Sequence, residues 1–290
     1  MTSYANMDNK AFEEKSNIYK TTYDIDIESL TYTKAVDFKS LDDLKKITDI
    51  DELYGAIGEF RSKGYEFLYR GLSDSSYKLL PTISWNNKDY FKEEDILEKA
   101  KSICIKYGID KYKLPKANEN LFYMGICRHL GLYSRLIDWT ASFWIAMSFL
   151  MDAKNIEKDG VLWILAMLRK ENNFENINPF IDDNKLHVLK EDFYLPEEDN
   201  DGILGFPIGI LRRWRQNGYF TVQPQGYIDI PFNEIVLPYG MKLIRIAISS
   251  VEKNILLRNK KIININELMI DEKHPIIKEI EELNYEFIDK

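Results

Sequence analysis

"YEFLYRGL" (residues 65–72) alternates as a β-strand does, with Tyr65, Phe67 and Tyr69 on one side and Glu66, Leu68 and Arg70 on the other. Gly71 and the turn residues "SDSS" (73–76) follow, and then "YKLLPTISW" (77–85). The strand carries a guanidinium near its end, where a charge needs either water or a partner. Upstream, "SLDDLKKITDIDELYGAIGEFRSKG" (40–64) has apolar residues at helical spacing, with Ser40 as the expected N-cap and Gly64 as the stop.

The same two periods place the remaining elements. Helices are expected from Glu93 to Tyr107 and from Asn118 to His129, the latter ending near Gly131. "DWTASFWIAMSFLMDAK" (138–154) reads as a helix capped by Thr140 and apolar around most of its circumference, hence buried. "GVLWILAML" (160–168) is a strand by length. "IGILRRWRQNGYFTV" (208–222) suggests a short helix closed by Asn217-Gly218 and a strand from Tyr219. "NEIVLPYGMKLIRIAI" (233–248) reads as two strands joined through Pro238 and Gly240, and residues 251–290 as two helices around an irregular link. This order, without regular alternation, indicates an α+β fold with mainly antiparallel strands rather than a doubly wound sheet.

With 290 residues, 45% hydrophobic, the chain can bury a sizeable core. One domain over residues 40–290 with a helical C-terminal part is expected, preceded by an N-terminal extension, 1–39. The start, "MTSYANMDNKAFEEK", lacks the basic and apolar segments of a signal peptide, and the expected location is cytoplasmic. "FWIAMSFLM" (143–151) is far short of the roughly 20 residues of a membrane span. Cys104 and Cys127 have no CxxC spacing and are expected as core thiols. A net charge of −8 gives no general reason to bind nucleic acid, although a local basic groove remains open.

Four polar groupings stand in apolar surroundings: Tyr69-Arg70-Gly71; His129, Arg135 and Asp138 in "RHLGLYSRLIDWTAS"; Gln216 in "RRWRQNGYFT"; and Glu234 in "FNEIVLP". A rigid guanidinium at Arg70 suits a carboxylate or phosphate, and a glycine beside it lets a ligand approach the backbone. Arg70 could equally snorkel to water. Arg135 and Asp138 are close enough to pair across a turn, which could be purely architectural. His129 has no second histidine at metal-ligand spacing, so no metal is expected.

These blocks resemble the FRG-domain family, a bacterial and phage group named for a phenylalanine or tyrosine, an arginine and a glycine. The matching residues are "FLYRG" (67–71), "RHLGLYSRLIDWTASFWIAMSF" (128–149) and "RQNGYFTVQ" (215–223). Ile137, Leu130 and Tyr133 depart mildly from that family's pattern. The order "YRG", "DWTASFWIAMSF", "NEIVLP" is also similar to arginine-class ADP-ribosyltransferases, whose sheets are split. That resemblance implies an NAD-using ADP-ribosyltransferase or NAD glycohydrolase, of the kind that acts as an intracellular toxin or defence effector, with NAD as substrate. It also implies roles. Arg70 binds phosphate or ribose, Thr140 and Ser142 support the site, and Glu234 is the catalytic carboxylate. Tyr77 or Phe220 sandwiches the nicotinamide, and Tyr69, Gly71, His129, Arg135, Asp138 and Gln216 complete the substrate site. Ala141 in the middle of the Thr140–Ser142 motif departs from the pattern. Two alternatives stay open: a nucleotide or nucleic-acid binding module without chemistry, and an internal polar network holding helices to sheet.

Overall fold

The computed structural model describes residues 40–85, 90–112, 118–168, 187–190, 216–223, 227–235, 237, 241–258, 262–268 and 274–287. The expected N-terminal extension lies outside them, as does most of the short helix expected before Asn217.

The fold is α+β. The helical pattern at 40–64 forms two pieces, a 3-10 turn at Ser40–Lys46 and helix α1 at Ile50–Ser62. Asp49 sits in extended backbone and its carboxylate accepts the Glu52 N–H at 2.8 Å, so it restarts the helix where Ser40 was expected to begin it. Gly64, at a φ of +88°, ends the segment as expected.

Strand β1 (Tyr65–Leu72) follows, then helices α2 (Glu93–Lys106) and α3 (Glu119–His129), strand β2 (Leu136–Thr140) and helix α4 (Phe143–Leu150). Strands β3 (Gly160–Leu168), β4 (His187–Lys190), β5 (Gly218–Val222) and β6 (Met241–Ile248) complete an antiparallel sheet of order β4-β5-β2-β1-β3-β6. The pairing is uneven. β1 pairs with β3 from Tyr65–Leu168 to Leu72–Val161, and β2 with β5 from Leu136–Val222 to Thr140–Gly218. Between β1 and β2 the register holds a single bridge, Tyr69 opposite Thr140. The six strands form one sheet, and its two three-stranded halves join through that single bridge.

Three local expectations are corrected. Asp138–Thr140 belongs to strand β2, and Ser142 rather than Thr140 caps α4, accepting the Ile145 N–H. The ladder offered by β5 outweighs the helical pattern there, and the Thr140 hydroxyl accepts the Ser142 N–H to turn the chain into the helix. Glu234 lies in a 3-10 turn, Phe232–Glu234, and among the described residues of 233–248 only Met241–Ile248 is a strand. Ile235 and Leu237 pack as side chains against a core cluster instead of pairing. The C-terminal part holds three short helices, α5 (Ser250–Leu256), α6 (Ile265–Leu268) and α7 (Pro275–Glu282), before a 3-10 turn at Leu283–Phe287.

Around β1 the two faces bury different partners. Tyr69 meets Phe143 of α4 edge-on at 5.5 Å, and Phe143 also meets Tyr54 of α1. The opposite side contributes Leu68 to a cluster with Ile137, Trp139, Trp163, Leu165 and Phe232. Leu136, Phe220 and Val222 pack instead with α2, α3 and α7. Gly71 marks where α4 crosses β1: a Cβ there would lie 1.9 Å from the Ala146 carbonyl oxygen. Lys253 of α5 is fully buried and donates to the carbonyls of Ser73, Asn155 and Lys158 at 2.7–2.8 Å, tying the loop after β1 to the loop before β3.

Candidate functional site

The site forms where the two halves of the sheet part. Beyond the Tyr69–Thr140 bridge the Asp138 carbonyl has left the β1 ladder, and the Arg70 guanidinium takes it. Arg70 Nη1 donates to Asp138 O at 2.6 Å and to Asp138 Oδ2 at 3.3 Å. From the last turn of α3, Arg128 Nη2 donates to the same carboxylate oxygen at 2.5 Å. Gly131, at a φ of +102°, then turns the chain from α3 towards β2, which carries Asp138. Phe220 is the register partner of Asp138 on β5, and the His129 ring lies 5.2 Å from it.

Two guanidiniums on one carboxylate leave an excess positive charge. Burial opposes ionisation of Asp138, but the charges of Arg128, Arg70 and His129 outweigh it and hold the carboxyl below its ordinary value. Burial likewise pulls the Arg70 pKa down, with Asp138 resisting. The side chains of Arg70, Arg128 and Asp138 keep 18%, 14% and 28% of their exposure, so the cluster is half-buried and reachable from solvent. Arg70 Nε and Arg128 Nε are buried N–H donors that meet no acceptor among the described residues. Such a cluster can take up an anion, because the positive charge is preorganised and donors are spare.

The structure gathers Arg70, His129, Asp138 and Phe220 here and assigns other expected residues elsewhere. Tyr69 is fully buried, packed on Phe67 and Phe143, and its hydroxyl accepts from Arg61 at 3.2 Å. Gly71 is required by the close passage of α4, a packing reason where ligand approach was expected. Tyr77 is half exposed and its hydroxyl accepts from Asn155, which also donates to Ser73. Arg135 does not pair with Asp138. It is buried with Glu93, whose carboxylate accepts from the Arg135 backbone N–H at 2.8 Å and Nε at 2.6 Å. Thr140 donates to the Gln216 carbonyl at 2.6 Å, so it fastens the start of β5 rather than Glu234's segment. Ser142 caps α4. The Gln216 amide donates to the Leu268 carbonyl at 3.3 Å. Glu234 is exposed, and it is tethered through Phe232, whose ring lies 5.5 Å from that of Trp139, the neighbour of Asp138.

Sequence reasoning missed Arg128, although it stands in the quoted block beside His129. A last-turn arginine looks like a helix-dipole partner, and only the approach of α3 to β2 turns it onto Asp138. Glu93 was missed for a similar reason: a first-turn acid looks like surface until the fold buries it. Among the described residues no cluster of His, Cys, Asp or Glu could hold a metal ion. No described helix is long and apolar enough to cross a membrane.

Residues 65–159 match the FRG domain, a span running from the first residue of β1 to the residue before β3. It contains Arg70, Arg128, His129 and Asp138 but neither Gln216 nor Glu234. No curated protein and no solved structure matches the chain.

Proposed function

We propose that this chain, with its FRG-domain match, binds NAD at the seam between the two halves of its sheet and breaks the nicotinamide–ribose bond, passing ADP-ribose to an acceptor or to water. The observation that carries the reading is the Arg70–Asp138–Arg128 cluster, half-buried with one positive charge in excess at the point where the sheet opens. A diphosphate is drawn to such a site, and fixed donors cost no reorganisation when it arrives. In the reaction the cationic nicotinamide leaves as a neutral base, the anomeric carbon bonds to the oxygen of the incoming nucleophile, and that nucleophile's proton passes to a carboxylate. Asp138 is held by two arginines, so the proposed acceptor of the proton is Glu234, on the segment anchored to Trp139. Phe220, with His129 against it, forms the apolar floor beside the cluster. Depletion of NAD inside a cell is the action of a toxin or defence effector.

Release of nicotinamide from NAD by the purified chain tests this directly. Turnover is expected in the natural protein and is lost in Glu234→Gln at unchanged melting temperature. Complete absence of turnover with every acceptor class, water included, would rule the enzyme out.

One observation favours a second reading, a nucleotide-binding module without chemistry: Glu234 is exposed and in a 3-10 turn, not at the head of a strand. In that case NAD or ADP-ribose stabilises the fold, by about 2.7 kcal/mol at a hundred times its Kd, and nicotinamide is not released.

A further inference from the structure

The seam is continued on the β1–β3–β6 half by a row of donors. Arg70 is the register partner of Trp163, and Trp163 is the register partner of Arg245. Directly paired residues project from the same face of a sheet, so the three side chains form one line across three strands. Trp163 is 7% exposed, and its indole Nε1–H meets no acceptor among the described residues; the same holds for Arg70 Nε. The contrast with Trp139 is informative, since that indole, also buried, donates to Thr221 Oγ1 at 3.0 Å. Arg245 is exposed, with its guanidinium carbon 5.9 Å from the centre of the Trp163 ring.

Native chains rarely leave a buried N–H without an acceptor, and here two stand on neighbouring strands beside a third, cationic donor. All three are donors, so what completes them brings only acceptors. Two inter-strand spacings separate the ends of the row, about 9–10 Å, longer than a carboxylate and commensurate with a diphosphate and its flanking oxygens. We propose that the Arg70–Trp163–Arg245 row is a diphosphate subsite, in which Arg70 Nε and Trp163 Nε1 bind one phosphoryl group and Arg245 closes over the other from solvent. This rests on the seam being the nucleotide's site, and it adds two phosphate-binding residues that lie beyond the span matching the FRG domain.

The test uses inorganic pyrophosphate as the probe and the full chain labelled with nitrogen-15 at tryptophan. The Trp163 indole signal is identified by its loss in Trp163→Phe, which keeps an aromatic ring and removes the N–H. Pyrophosphate is expected to move that signal, while sodium chloride at equal ionic strength and acetate do not. Trp163→Phe and Arg245→Gln are each expected to weaken pyrophosphate about tenfold. Arg245 is exposed, so its variant keeps the test alive if Trp163→Phe fails to fold. A Trp163 signal that stays fixed while pyrophosphate binds and Arg128→Gln weakens it overturns the row and leaves the seam standing. A signal that responds only to exchange with an internal water overturns it too. If pyrophosphate moves the signal and NAD neither binds nor turns over, the row stands and the NAD reading falls.

Discussion

The Arg70 guanidinium bonds both the backbone carbonyl and the carboxylate of Asp138, replacing the ladder hydrogen bond that β1 and β2 give up past Tyr69–Thr140. A side chain thus seals the place where the sheet divides, and with Arg128 on the same carboxylate the seal is positively charged. The charge is what the proposed function uses, and the division is what exposes it.

Arg128 and Arg135 should separate function from architecture. Arg135→Ala strands a buried Glu93 without its partner, and a loss of about 3–5 kcal/mol of stability is expected by urea denaturation. Arg128→Gln should cost far less stability yet weaken nucleotide binding at least tenfold by calorimetry, since it removes the excess charge. The reverse pattern would place the anion site at Arg135.

Gly71→Ala is expected to destabilise the fold by about 3 kcal/mol or more, because the new methyl meets helix backbone at Ala146, which cannot rotate away. Gly55, whose Cβ would meet nothing within 4 Å, supplies the control: its alanine variant should leave the melting temperature unchanged or raised.

Acid should loosen the seam. The folded pKa of Asp138 is depressed, so its stabilisation is complete above the ordinary aspartate range, about pH 4, and is lost as pH falls through the lower folded value. Asp138→Asn should therefore show a shallower fall in stability between about pH 4 and pH 2 than the natural chain, measured by denaturant midpoints. Equal slopes would mean that the carboxylate is not held by the arginines.

Replacing Lys253 by methionine keeps the apolar stem and strands the carbonyls of Ser73, Asn155 and Lys158. A loss of about 3 kcal/mol is expected, with the loops that follow β1 and precede β3 exchanging their amide hydrogens first.

Cys104 and Cys127 face each other across α2 and α3, with sulfurs 3.5 Å apart and both side chains fully buried. Both thiols are closed off from solvent, and burial also pushes the Cys127 thiol up, so neither residue should react with a thiol reagent in the native chain, and both should react once urea unfolds it. Rapid labelling of the folded protein would show that α2 and α3 open readily.

Sequence alone determined the residues in which alternation or helical spacing is dictated locally. "YEFLYRGL" and "GVLWILAML" are strands, α2 and α3 fall where their apolar spacing put them, and Gly64 stops its helix because only a residue without Cβ enters that backbone conformation cheaply. Tertiary structure decided everything that depends on which strand lies beside which. "DWT" became a strand because β5 offered it a ladder, and Glu234 missed one because Ile235 and Leu237 were drawn into the core. Arg135 went to Glu93 and left Asp138 to Arg128 for the same reason. A charge's partner is chosen by distance in space, and periodicity along a chain carries no record of distances between segments that meet only after folding.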